Sequence, residues 1–213
     1  MLHFTNFNKF YSNFPALKIS DLTLDKGIYW VKGVNGSGKS TLLKSIAGIL
    51  SFDGEITLNN NISIKKHATA YRKLVNFAEA EPLFPEFLTG TEMLALFAAA
   101  KGAPKDQEVY FIESMNMQSY INRPIGTYSS GMLKKLSLLL AFIGHPQLIL
   151  LDEPLITIDT DALMVLYKWI NKLHAEEGVS FMLSSHQILD AEIIGNTSLL
   201  EVENQTLKIL GKN

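Results

Sequence analysis

The chain contains no cysteine among its 213 residues, which excludes disulfides and thiolate-held metals as sources of stability or chemistry. Net charge is also scarce: 19 lysines and arginines against 21 aspartates and glutamates leave -2, so no polycationic tail offers itself to nucleic acid. Long apolar runs are missing as well. Residues 138–143 and 148–151 are separated by Gly144-His145-Pro146-Gln147, and neither approaches the ~20 residues of a membrane-crossing helix. No basic segment followed by an apolar core opens the chain, so no secretory signal is expected. What remains is a chain that is 47% apolar and 19% charged, too apolar for disorder and long enough to bury one substantial core. One domain, or one domain with a closely packed subdomain, is the expectation.

Local patterns divide the chain into three stretches. Residues 3–33 read as short strands broken by Asn13, Pro15 and Asp25-Lys26-Gly27, the last of them, 28–32, running straight into Gly33. Residues 40–49 place Leu42, Leu43, Ile46 and Ala47 on one helical face, and 54–58 look like an edge strand ended by Asn59-Asn60-Asn61. A middle stretch is richer in helical spacing, with helices predicted over 91–100, 105–115 and 133–142 between Pro82, Pro85, Pro104 and Pro124. From Leu148 an apolar strand, a helix over about 161–174 and a strand over 179–184 form a parallel-sheet unit, and 197–210 reads as a hairpin around Asn204 and Gln205. The fold class is α/β.

Two motifs carry chemistry. GVNGSGKS, from Gly33 to Ser40, meets G-x-x-x-x-G-K-[ST] in full and lies between a strand and a helix. Its residues Gly33, Asn35, Gly36, Ser37, Gly38, Lys39 and Ser40, with Thr41 after them, make a loop whose amides face a phosphate chain at the positive end of a helix. Lys39 would reach the β and γ phosphates, and the Ser40 hydroxyl would ligate Mg²⁺. The second motif is LILLDEP, from Leu148 to Pro154: a buried strand delivers Asp152 to its carboxyl end, where open α/β sheets place ligands. Asp152 would hold Mg²⁺, directly or through water, and Glu153 would polarise an attacking water. These motifs predict Mg²⁺-dependent nucleoside triphosphate binding without choosing among ATPases, GTPases, kinases and helicases. No Asn/Thr-Lys-x-Asp loop reads guanine, which favours ATP.

With both motifs in place, YSSGM at residues 128–132 becomes recognisable. The chain resembles the nucleotide-binding domain of ATP-binding cassette (ABC) transporters over nearly its whole length, most closely the single-cassette exporters of the ABC-2 type. The family normally reads LSGGQ here; Ser129 and Gly131 match, whereas Ser130 and Met132 depart. The interval from Lys39 to Gly131 leaves room for a short helical subdomain and none for a long coiled-coil insert.

The resemblance implies a P-loop NTPase core with an antiparallel N-terminal β subdomain, formed by residues 1–78 and 145–213, and an inserted helical subdomain over 79–144. It implies that Tyr11, with Phe10 and Phe14 beside it, supplies the aromatic that stacks on adenine. Glu79 occupies the Q-loop position, where a glutamine usually approaches Mg²⁺. Residues 155–159, LITID, match the D-loop with Asp159 at the dimer seam, and His186 matches the switch histidine at the γ-phosphate. Leu83, Phe84, Pro85 and Phe87 would meet a helix of a membrane subunit. The implied partners are a transmembrane permease and a second cassette, expected to be an identical copy, with no nucleic acid. The implied place is the cytoplasmic face of the cell membrane. Twenty-seven residues follow His186, an ending that fits an exporter. Two rival readings remain: a soluble regulatory protein using the same ATP-driven clamp, and a degenerate cassette that binds but does not hydrolyse.

Overall fold

The computed structural model describes residues 1–185, 195 and 197–212. Alternation at the amino end builds β1 (Leu2–Tyr11) and β2 (Phe14–Leu24), paired antiparallel from Leu2 opposite Leu24 to Tyr11 opposite Phe14. Leu2, Phe4 and Phe7 of β1 point into the core and are fully buried. The sequence reads here as short broken strands, but Pro15 does not break β2. It sits beside the turn, where the pairing shifts register between Lys9 and Phe10, on the strand at the outer edge of its sheet. An edge strand tolerates a residue without an amide hydrogen.

That sheet is completed by β4 (Asp53–Leu58) and β5 (Ile62–Ser63), in the order β2-β1-β4-β5. The expected edge strand at 54–58 is therefore flanked on both sides. Asn59-Asn60-Asn61 does not end the sheet but turns the chain back to Ile62, with Asn59 and Asn60 at φ 53° and 64°. Asparagine tolerates that left-handed conformation better than most residues, which accounts for the run.

The second sheet holds β3 (Ile28–Lys32), β6 (Val75–Ala78), β7 (Leu148–Leu151), β8 (Ser180–Ser184), β9 (Thr197–Glu203) and β10 (Thr206–Lys212), in the order β10-β9-β3-β8-β7-β6. All neighbours except β9 and β10 run parallel. Side chains of one strand feed two separate cores. Ile149 and Leu151 of β7 join one cluster, while Leu148 and Leu150 join the other. Burial on both faces is why this strand is an unbroken apolar run. The carboxyl ends of β3, β6, β7 and β8 consequently gather along one edge of the sheet.

Six helices surround the sheets among the described residues: α1 (Lys39–Ile46), α2 (Ala68–Leu74), α3 (Gly90–Lys101), α4 (Gln107–Ser114), α5 (Ser130–Ala141) and α6 (Thr160–Glu177). Helix α3 opens on a capping box formed by Thr89 and Glu92, and α6 opens on Asp159 and stops at Gly178, whose φ of 67° suits glycine. Helix α5 begins at Ser130, three residues before the expected start, because Ser129 caps it. No described helix is long and apolar enough to cross a membrane.

Helix α2 and strand β6, like the two-residue β5, are elements that sequence patterning does not announce. Only Tyr71 of α2 is buried, so it has no apolar stripe, and β6 carries Asn76 in the middle of four residues. Asn76 is 3% exposed and donates from Nδ2 to the carbonyls of Ala141 and Ile143, both at 2.8 Å, binding the end of α5 to the sheet. Asn76→Leu deprives two buried carbonyls of their donor, and chemical denaturation should register a loss of about 2 kcal/mol or more.

Candidate functional site

The phosphate loop is held open by contacts that allow no substitute at its first position. A Cβ on Gly33 would lie 2.4 Å from Ser37 Oγ and 2.6 Å from the Val202 carbonyl, so the loop, β9 and the end of β3 close together only with glycine there. Gly36 and Gly38 adopt φ of 78° and 108°, and Asn35 is exposed at the loop's outer turn. Gly38 stands immediately before α1, so the loop's free amides and the positive end of α1 face one space. That space is a cavity of about 650 Å³ lined by Tyr11, Phe14, Gly33, Gly36, Ser37 and Thr41 among others, within the range of a nucleotide-sized site. Tyr11 closes one side, its hydroxyl 3.2 Å from Thr41 Oγ1 and its ring 4.9 Å from Lys9 Nζ.

Lys39 is 6% exposed and folds back over the loop, donating to the carbonyls of Gly33 at 2.8 Å and Val34 at 3.3 Å. Burial lowers its pKa from the ordinary lysine value, and the charges of Glu153 and Asp152 push it back up. Beside it the Ser40 hydroxyl donates to Asp152 Oδ1 at 3.0 Å. The same carboxylate oxygen accepts from Ser184 Oγ at 2.6 Å, and Ser184 Oγ in turn accepts the Glu153 backbone N–H at 3.0 Å. Phosphate loop, β7 and β8 are thus joined by one hydrogen-bond chain. Glu153 is 7% exposed and held at φ 45°, an unusual conformation for a non-glycine residue.

Ser40 Oγ and Asp152 Oδ1 are hard oxygens whose 3.0 Å separation matches adjacent corners of an octahedron with metal–oxygen distances of about 2.0–2.1 Å. They fit Mg²⁺. Among the described residues no group of three histidines or carboxylates forms a protein cage, so the remaining positions would fall to phosphate oxygens and water. Glu79, at the end of β6, has its carboxylate paired with Lys44 of α1.

The remaining expected residues are placed elsewhere. Ser129 caps α5, its hydroxyl accepting from Met132 N at 3.3 Å, and both Ser129 and Ser130 are exposed. Gly131 lies against the turn after β7, where an added Cβ would stand 3.0 Å from the Thr157 carbonyl. Asp159 accepts from Ala162 N at 2.8 Å and pairs with Lys135 at 2.7 Å, and the Lys135 hydrogen bond is the main cause of its lowered pKa. The expected switch residue His186 lies outside the described residues.

Two contributors escaped the sequence reading. Ser184 was visible only as a polar residue ending an apolar strand, yet its hydroxyl carries the link between Asp152 and Glu153. Lys134, in the basic run after Gly131, is 1% exposed and donates to three carbonyls, those of Asp152, Glu79 and Ala80. Burial draws its pKa down to about 8 against the opposing charges of Asp152, Glu153 and Glu79.

The chain is similar in sequence and fold to several known proteins. A profile of the family described as "ABC transporter" matches residues 17–156. Human "ATP-binding cassette sub-family A member 13" is 30% identical over 216 residues, covering 97% of this chain and 4% of the relative. "ATP-binding cassette sub-family A member 7" of Rattus norvegicus is 34% identical over 185 residues, covering 84% of this chain and 8% of the relative. The chain therefore spans a small fraction of the length of these relatives. Among solved structures, "Structure of ATP binding subunit of ABC transporter" superposes with a TM-score of 0.87 at 25% identity, covering 98% of this chain and 90% of that one. "Dimeric Structure of MJ0796, a Bacterial ABC Transporter Cassette" shares the fold, with a TM-score of 0.83 at 20% identity, covering 100% of this chain and 98% of that one.

Ser184→Ala leaves the buried Glu153 N–H without its acceptor and removes one of the two hydroxyl donors to Asp152 Oδ1. Urea unfolding should report a loss of about 1–3 kcal/mol.

Proposed function

The chain belongs to the ABC transporter family, and we propose that it is the ATP-binding and ATP-hydrolysing subunit of a membrane transporter, acting with a second cassette and a separate permease. The observation that carries this reading is the hydrogen-bond chain from Ser40 through Asp152 and Ser184 to Glu153, which joins a phosphate loop to an acidic strand end.

In this proposal Lys39 exchanges the neutral carbonyls of Gly33 and Val34 for charged β- and γ-phosphate oxygens, which are stronger acceptors. The amides of residues 33–41 cradle the phosphates and stabilise charge that develops in the transition state. Ser40 and Asp152 would hold Mg²⁺, which would supply electrostatic stabilisation of charge on the phosphate. Glu79 would approach the metal or its water from beyond the end of β6, with Lys44 paired to one of its carboxylate oxygens. Glu153, its backbone fixed by Ser184, orients the attacking water and accepts its proton. His186 would face the γ-phosphate, and Tyr11 would stack on adenine. Ser129 and Gly131, at an exposed helix start, would meet the γ-phosphate held by a second copy, giving a head-to-tail pair with two ATP molecules at its seams.

Export through an identical pair is the finer form of the proposal. The permease surface would include Leu83 and Phe87, 92% and 81% exposed. Exposed aromatic and aliphatic groups suit an apolar helix face. Docking there would hold the chain on the inner face of the membrane.

Glu153→Gln keeps the shape of the site and removes the base. It should bind ATP and form dimers in saturating ATP and Mg²⁺ while steady turnover falls about 10²- to 10⁴-fold. A variant that stays monomeric and turns over at the parental rate would sink both the base assignment and the paired-site model. A parental chain that binds ATP and forms pairs without turnover would favour the degenerate cassette.

A further inference from the structure

Helix α5 carries a lysine whose setting the proposed chemistry does not use. Lys134 lies just beyond the first turn after the Ser129 cap, on the face that also buries Leu138 and Ala141, and it is 1% exposed. An ammonium group there bears the full cost of leaving water, whereas methionine would fill much of the same space without it. What the ammonium obtains is three acceptors. Nζ donates to the Asp152 carbonyl at 2.9 Å, the Glu79 carbonyl at 3.0 Å and the Ala80 carbonyl at 3.2 Å. A lysine ammonium has three hydrogens, so its capacity is fully used. Those carbonyls belong to two different segments: Asp152 follows β7 beside the expected water-activating Glu153, and Glu79-Ala80 begins the chain's passage from β6 to α3.

We propose that Lys134 is a positioning residue that locks the start of α5 to both segments, so that movement of the Ser129–Gly131 helix end is transmitted to the Glu79 segment and to the acidic end of β7. The inference rests on the ATPase reading for its kinetic consequence, but not for its structural one. Each acceptor is main-chain, so the lock depends on the position of the backbone rather than on any side chain at 79 or 80. Lys135, the next residue, pairs with Asp159 at 2.7 Å, so consecutive lysines tie α5 to the two sides of the turn that follows β7.

The test compares full-length Lys134→Met and Lys134→Arg with the parent in two measurements. In ATP turnover, Lys134→Met should lose about tenfold to a hundredfold in kcat with KM for ATP within about twofold, because the nucleotide contacts stay and the geometry around Glu153 loosens. Lys134→Arg, which can still donate to several carbonyls, should recover most of the kcat. In hydrogen exchange without nucleotide, Lys134→Met should speed exchange over residues 79–87 while β7 and β8 keep their protection. Parental kcat in Lys134→Met, a loss of kcat matched by an equal rise in KM, no recovery with arginine, or unchanged exchange over 79–87 would each overturn the proposal. If the parent itself turns over no ATP, the functional reading fails, and the exchange measurement alone decides whether Lys134 locks the two segments.

Discussion

Asp152 is the residue on which the rest of the site depends, because its N–H, its carbonyl and its Oδ1 are bonded to four other elements. Its N–H donates to the Ala78 carbonyl of β6 at 2.9 Å, its own carbonyl accepts from Lys134 of α5, and Oδ1 accepts from Ser40 of α1 and Ser184 of β8. Four elements are therefore referred to one residue that is 1% exposed. Burying a carboxylate is costly unless its hydrogen bonds are met, and here two hydroxyls meet one oxygen. The parallel sheet makes this arrangement attainable, since the carboxyl ends of β6, β7 and β8 lie side by side and the helix after β3 starts at the same edge.

Around that point charge and backbone strain are arranged together. Lys39 and Lys134 both lose part of their preference for the charged form through burial, and both recover some of it from Asp152 and Glu153. Those two acids thus face lysines on two sides, one from the phosphate loop and one from α5. Glu153 follows at φ 45° and Thr157 at φ 68°, so the turn leaving β7 is strained at both ends. Such strain persists only when neighbours overdetermine it. Ser184 fixes the Glu153 N–H at one end, and the Thr157 carbonyl lies against Gly131 at the other.

Much of this was legible in the chain. The phosphate loop and the acidic strand announce themselves because their chemistry needs particular residues at fixed spacing, and the strands 28–32 and 148–151 fall where apolar runs place them. The terminal hairpin around Asn204 and Gln205 is likewise read from its turn residues. The missed features share a cause: the signal that would show them is a tertiary contact. Asn76 argues against a buried strand until its two carbonyl acceptors are seen, and Lys134 resembles a solvated helix residue until its three are. Glu79 reads as an acid near the metal, and its pairing with Lys44 in the last turn of α1 is a contact that only the fold shows. The edge assignment for 54–58 failed because β5 is only two residues long, too short to leave a pattern.

Asp152 as the meeting point of phosphate loop and metal is the central claim, and Mg²⁺ dependence of ATP binding tests it most directly. The parent should bind ATP more tightly with Mg²⁺ than with a chelator present. Asp152→Asn, which keeps the shape and loses the charge, should bind ATP equally in both conditions, with its thermal unfolding still cooperative. If the folded variant retained the parent's full Mg²⁺ enhancement, the metal would lie elsewhere and the account of this carboxylate would be contradicted.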